Sequence, residues 1–98
     1  MAGGRVGTPK ITAGADELTD LLALRAHVAV SAAVTVAFAI RRDGGEWRRV
    51  AVDDTPPYRA FLDRSAFRKG ERVEAVAIAR SLGGRTAMSK TLEFTPRR

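Results

Sequence analysis

Residues 33–52 read AVTVAFAIRRDGGEWRRVAV. In the first half Val34, Val36, Phe38 and Ile40 alternate with Thr35, Ala37 and Ala39. That period of two is the pattern of a strand with one face turned to a core. Asp43-Gly44-Gly45 follows, and glycine accepts positive φ without steric cost, so a hairpin turn is predicted there. Glu46–Val52 is then the returning strand.

Working outward, Pro56-Pro57 stops the pairing, because proline has no N–H to give a ladder. Tyr58–Leu62 resumes as a strand, and Phe67–Glu71 is a turn with Gly70 at a left-handed position. Val73–Arg80 alternates again, with Val73, Ala75, Ala77 and Ala79 on one side and Glu74, Val76, Ile78 and Arg80 on the other. Both sides are largely apolar, which marks a central strand. Leu82–Arg85 is a second hairpin turn, and Thr86–Thr95 is the last strand, ended by Pro96.

Upstream, Lys10–Thr12 reads as a short first strand and Gly14–Asp20 as a polar turn. Leu21–Val30 admits two readings. As a strand it sends Leu22, Leu24, Ala26, Val28 and Val30 to one face. As a helix over 16–27 it would group Leu18, Leu21, Leu22 and Arg25, and its Ala and Leu have the propensity for it. The strand is preferred because the alternation runs on through Val30. The total is seven short strands at turn spacings of about 8 to 12 residues, which predicts an all-β, seven-stranded antiparallel sandwich or barrel. Residues 9–96 form one domain in this reading, after a Gly-rich segment, 1–8, that is expected to be disordered.

The chain has 98 residues and is 45% hydrophobic, enough for one core and no more. It has no cysteine, which excludes disulfides and thiolate metal sites. The only histidine is His27, so a multi-histidine metal site is excluded too. No apolar run approaches the roughly 18 residues of a membrane-spanning helix. The first residues lack the apolar centre of an export signal, so such a signal is expected upstream of this sequence. Net charge is +6, carried by 14 Arg and 3 Lys. Asp43, Glu46, Asp53, Asp54, Asp63 and Glu71 interrupt the basic pairs, which favours a solvated mixed-charge surface over a nucleic-acid patch.

The second half resembles bacterial immunoglobulin-like or fibronectin-III-like domains. The matching residues are Gly44-Gly45-Glu46-Trp47, Asp53-Asp54, Pro57-Tyr58-Arg59, Asp63, Gly70 and Val73–Gly84. The resemblance covers about residues 35–89 and departs at Ser81, where such domains usually carry Asp before the turn. It implies a β-sandwich of the immunoglobulin/fibronectin-III kind. It also implies a setting, since such domains are appended to secreted α-amylase-type glycoside hydrolases and other exported bacterial proteins.

Catalytic readings fare poorly. Asp53 and Asp54 are neighbours in an extended segment and point opposite ways, so they cannot form an acid pair for hydrolysis. They suit a turn, as does Asp63 beside Ser65. None of Ser31, Ser65, Ser81 and Ser89 sits in a nucleophile elbow with His27 as its base. No cofactor or metal is expected, and the chain is not expected to be an enzyme. The candidate ligand-binding residues are Trp47 and Tyr58, whose rings could stack on a sugar; packing in the core or at a strand edge is the competing role. Phe38, Phe61, Phe67 and Phe94 are assigned to packing or to strand edges.

The expected function is that of a non-catalytic accessory domain of a larger exported protein, a polysaccharide-degrading hydrolase, packing against or spacing a neighbouring domain of the same polypeptide. Its address is then extracellular or at the cell surface, and in isolation it is a monomer. Two alternatives stand beside this: a carbohydrate-binding module using surface aromatics, with polysaccharide as partner, and a basic polyanion-binding domain. Single-stranded nucleic acid is disfavoured because aromatics are not interleaved with the arginines. The accessory role calls for an apolar, partly exposed face on the isolated domain.

Overall fold

The computed structural model describes residues 8–15, 20–28 and 34–97. Among the described residues eight strands follow in order: β1 (Lys10–Ala15), β2 (Leu21–His27), β3 (Val34–Arg42), β4 (Arg48–Asp53), β5 (Tyr58–Asp63), β6 (Val73–Ser81), β7 (Thr86–Met88) and β8 (Leu92–Phe94). A single 3-10 turn, Arg64–Ala66, interrupts them, and no α-helix occurs among the described residues. β1, β2 and β5 form one antiparallel sheet. The other runs β4-β3-β6-β7, with β8 also pairing β6. The result is a two-sheet antiparallel sandwich of the immunoglobulin/fibronectin-III-like class.

Alternation decides which side chains meet inside. Leu22, Leu24 and Ala26 of β2 are buried, as are Tyr58, Ala60 and Leu62 of β5. From the larger sheet Val34, Val36, Phe38 and Ile40 of β3 face Val73, Ala75, Ala77 and Ala79 of β6 in one cluster with them. Large residues of β3 lie opposite small ones of β6: Val36 against Ala79, Phe38 against Ala77, Ile40 against Ala75. That pairing lets the inner face stay level while the opposite sheet closes on it.

The helix alternative for 16–27 is overturned over Leu21–His27, which is β2; Asp16–Thr19 lie outside the described residues, as do residues 1–7, 29–33 and 98. The first strand is longer than expected and takes in Gly14 and Ala15. The predicted strand Thr86–Thr95 is two strands, which raises the count from seven to eight. The break is at Ser89. Its backbone N–H donates to the Ala77 carbonyl at 2.8 Å, while its Oγ accepts from the Ala77 N–H at 2.8 Å and donates to the Lys90 carbonyl at 3.0 Å. The hydroxyl thus takes the place of a backbone carbonyl in the ladder, and the chain turns aside without leaving the Ala77 N–H unpaired.

Turns fall where the glycines predict. Asp43 and Gly44 have φ of 51° and 71°, and the Gly45 N–H donates to the Arg42 carbonyl at 2.9 Å. Positive φ at both central residues matches the right-handed twist of the flanking strands. Gly70 sits at φ 77°. Ser81 does the work of the expected Asp: its Oγ accepts from the Arg85 N–H at 3.2 Å, and its carbonyl accepts from Gly84 at 3.0 Å.

Candidate functional site

The strand-ending carboxylates prove to be structural. Asp53 accepts from the backbone N–H of Thr55 and of Arg59, both at 3.1 Å, and so ties the end of β4 to the start of β5. Asp63 accepts from the Ser65 Oγ at 2.7 Å and the Ser65 N–H at 2.9 Å, which lower its pKa. Among the described residues no group of three or more His, Cys, Asp or Glu side chains could hold a metal ion, and no helix is long and apolar enough to cross a membrane.

The two candidate aromatics part company. Tyr58 is the first inward residue of β5 and is only 7% exposed. Its hydroxyl donates to the Val34 carbonyl at 3.4 Å, and its ring is enclosed by the core, closed to any stacking ligand. Trp47 precedes β4 and is 40% exposed. The Arg41 guanidinium lies 4.9 Å from its ring centroid, covering one face. Arg41 is held in turn by Glu74, with bonds of 2.8 and 3.1 Å; these raise the Arg41 pKa and lower that of Glu74.

Beside Trp47 a groove of about 460 Å³ is lined by Ile40, Arg41, Arg42, Glu46, Arg48, Val50 and Phe67. Its far wall is braced by an ion pair. Glu71, buried, accepts from Arg42 at 2.6 and 2.8 Å and from the Arg68 backbone N–H at 2.8 Å. The Arg42 bonds and then the Arg68 N–H hold its carboxyl at about 2, far below the ordinary 4.5. Arg42 also lies 4.9 Å from the Phe67 ring centroid. Its charge is therefore committed twice over, and the groove offers Arg48 and Glu46 as its uncommitted polar groups.

The outer face of the larger sheet is of a different character. Register places Val52, Ala37, Ile78 and Met88 in one cross-strand row over four strands. Val52 is 51% exposed and Met88 61%. The neighbouring row pairs Ala39 with Val76; both are buried, yet neither belongs to the interior cluster. Arg41 and Glu74 close the patch at one end, with Trp47 on Arg41, and Thr35, Arg80 and Thr86 close it at the other. At strand spacings of about 4.8 Å the row is about 14 Å long. Sequence alternation foresaw the apolar outer side of β6, but not that β4 and β7 would extend it.

No protein-family model matches the chain, and no curated protein matches it. Solved structures do. Over 89% of its length the chain is similar to part of the pectate lyase PelI from Erwinia chrysanthemi, solved in complex with tetragalacturonic acid, at a TM-score of 0.70 and 11% identity. The chain spans 28% of that protein. Over 96% of its length it is similar to the whole of a myokine structure, with a TM-score of 0.71 and 15% identity. At such identities the likeness is one of fold.

Proposed function

We propose that the chain is a non-catalytic accessory domain of a larger exported bacterial protein, a polysaccharide-degrading hydrolase, in which it packs against or spaces a neighbouring domain. The observation that carries this reading is the apolar row Val52–Ala37–Ile78–Met88 on the outer face of the larger sheet. A contiguous exposed apolar patch with a polar rim is the usual mark of a docking surface. The pectate lyase supports the setting, since a domain of this fold there makes up a minor part of a much longer chain. Extracellular or cell-surface location follows from the same reading.

Oxidative footprinting tests it at Met88. The rate of sulfoxide formation is measured by mass spectrometry in the 98-residue chain and in the uninterrupted polypeptide its gene encodes. The reading expects Met88 to be oxidised several-fold more slowly in the longer protein. Equal rates would mean that nothing covers the patch.

A second reading has one observation in its favour, the free face of Trp47. A neutral sugar ring stacked there would shift the fluorescence of the only tryptophan in the chain. Titration with soluble starch or another neutral glucan that leaves the emission unchanged up to high concentration removes it.

A further inference from the structure

The outer face of the three-stranded sheet carries cations that no carboxylate among the described residues neutralises. Alternation on β2 and β5 buries Leu22, Leu24, Ala26, Tyr58, Ala60 and Leu62, and turns Arg25, His27, Arg59 and Phe61 outward. Register then sets Thr12, Arg25 and Arg59 side by side over three strands, with Lys10 and His27 paired in the next row. Phe61 lies two residues beyond Arg59 on the same face and is 60% exposed.

Two arginines directly opposite one another on adjacent strands repel. Elsewhere among the described strands register sets no arginine opposite another. Arg41, Arg42, Arg68 and Arg72 each have a carboxylate partner, and Arg64 and Arg97 bond backbone carbonyls. The Arg25 and Arg59 guanidiniums have no hydrogen bond or ion pair among the described residues. The nearby carboxylate of Asp53 is taken by backbone N–H groups, that of Arg59 included, and that of Asp63 by Ser65. Two arginines whose Cβ atoms stand about 5 Å apart on adjacent strands are thus left with unpaired guanidiniums on one exposed face.

We propose that this face binds a carboxylated polysaccharide, a polyuronate, with Arg25 and Arg59 clamping its carboxylates, Lys10 adding a cation from the adjacent row and Phe61 packing on a sugar ring. Three features select that ligand. The planar guanidinium fork matches a carboxylate in two-point contact, which a lysine array would not provide. The three strands span only about 10 Å, the width of one extended chain rather than of a duplex. Among the described residues Phe61 is the only Phe, Tyr or Trp on the face, whereas single-stranded nucleic-acid platforms stack successive bases on several. The site lies on the sheet opposite the apolar row, so it stands or falls independently of the docking role.

The test uses the 98-residue chain and affinity titration against polygalacturonate, a neutral glucan and a single-stranded oligonucleotide at low and moderate salt. Arg25→Ala/Arg59→Ala is compared with Arg49→Ala/Arg85→Ala, which removes the same charge from the larger sheet and its β6–β7 turn. Arg25→Lys/Arg59→Lys keeps the charge and removes the fork. The structure predicts polygalacturonate binding that weakens with salt, falls at least about tenfold in the Arg25/Arg59 alanine variant, and stays within about twofold of wild type in the Arg49/Arg85 variant. The lysine pair falls between, with an unchanged circular dichroism spectrum. Equal losses in the two alanine variants, full retention in the lysine pair, tighter binding to the oligonucleotide, or no binding to polygalacturonate at low salt would each overturn the assignment.

Discussion

Removing a phenyl ring should be costly at one position of this chain and nearly neutral at another. Phe38 is fully buried on the inner face of β3, with Ala77 opposite it on β6 and Ala51 on β4. Its alanine neighbours are too short to reach into the space it would vacate. Phe38→Ala should therefore cost about 3 to 5 kcal/mol, towards the upper end because the site cannot collapse. A domain of this size holds about 5 to 15 kcal/mol in all, so the variant should lie close to unfolding. Its melting temperature should fall by at least about 12 °C. Phe61 is 60% exposed on the outer face of β5, and Phe61→Ala should stay within about 0.5 kcal/mol of wild type. Urea unfolding followed by far-ultraviolet circular dichroism measures both, with the slope reporting whether each transition is two-state. Equal losses at the two sites, or a greater loss at Phe61, would refute the assignment of inner and outer faces.

Two further substitutions probe the buried polar groups. Ser89→Ala leaves the Ala77 N–H without its 2.8 Å acceptor in the middle of the larger sheet, and should cost about 1 to 3 kcal/mol in urea unfolding, with faster exchange of the Ala77 amide. Glu71, held at about 2 in the fold against an ordinary 4.5, contributes stability that is complete above pH 4.5 and is lost as pH falls through about 2. Glu71→Gln should lower stability at neutral pH, and its deficit relative to wild type should shrink across that acid window; a pH-independent gap would contradict the Arg42 pairing.

The sequence disclosed most of what is local. Alternation in Leu21–His27 and Val34–Ile40 set the inward residues, and Gly44 and Gly70 marked their turns, because each depends on its own few neighbours. The break at Ser89 was hidden, since a serine hydroxyl standing in for a carbonyl leaves Thr86–Thr95 looking like one strand. Tyr58 and Phe61 were separable in principle: with Ala60 and Leu62 inward, period two buries Tyr58 and exposes Phe61. Aromatic character alone makes Tyr58 a candidate ligand contact, and parity overrides it. The Arg25–Arg59 pair and the row from Val52 to Met88 could not be read, because each joins strands far apart in the chain and exists only once register is fixed.

Register is thus what both surfaces depend on, and cross-strand nuclear Overhauser effects measure it directly. The register predicts backbone contacts that pair residue 25 with 59, 37 with both 52 and 78, and 78 with 88. Contacts displaced by one residue in either sheet would turn the arginines or the apolar row inward, and would contradict it.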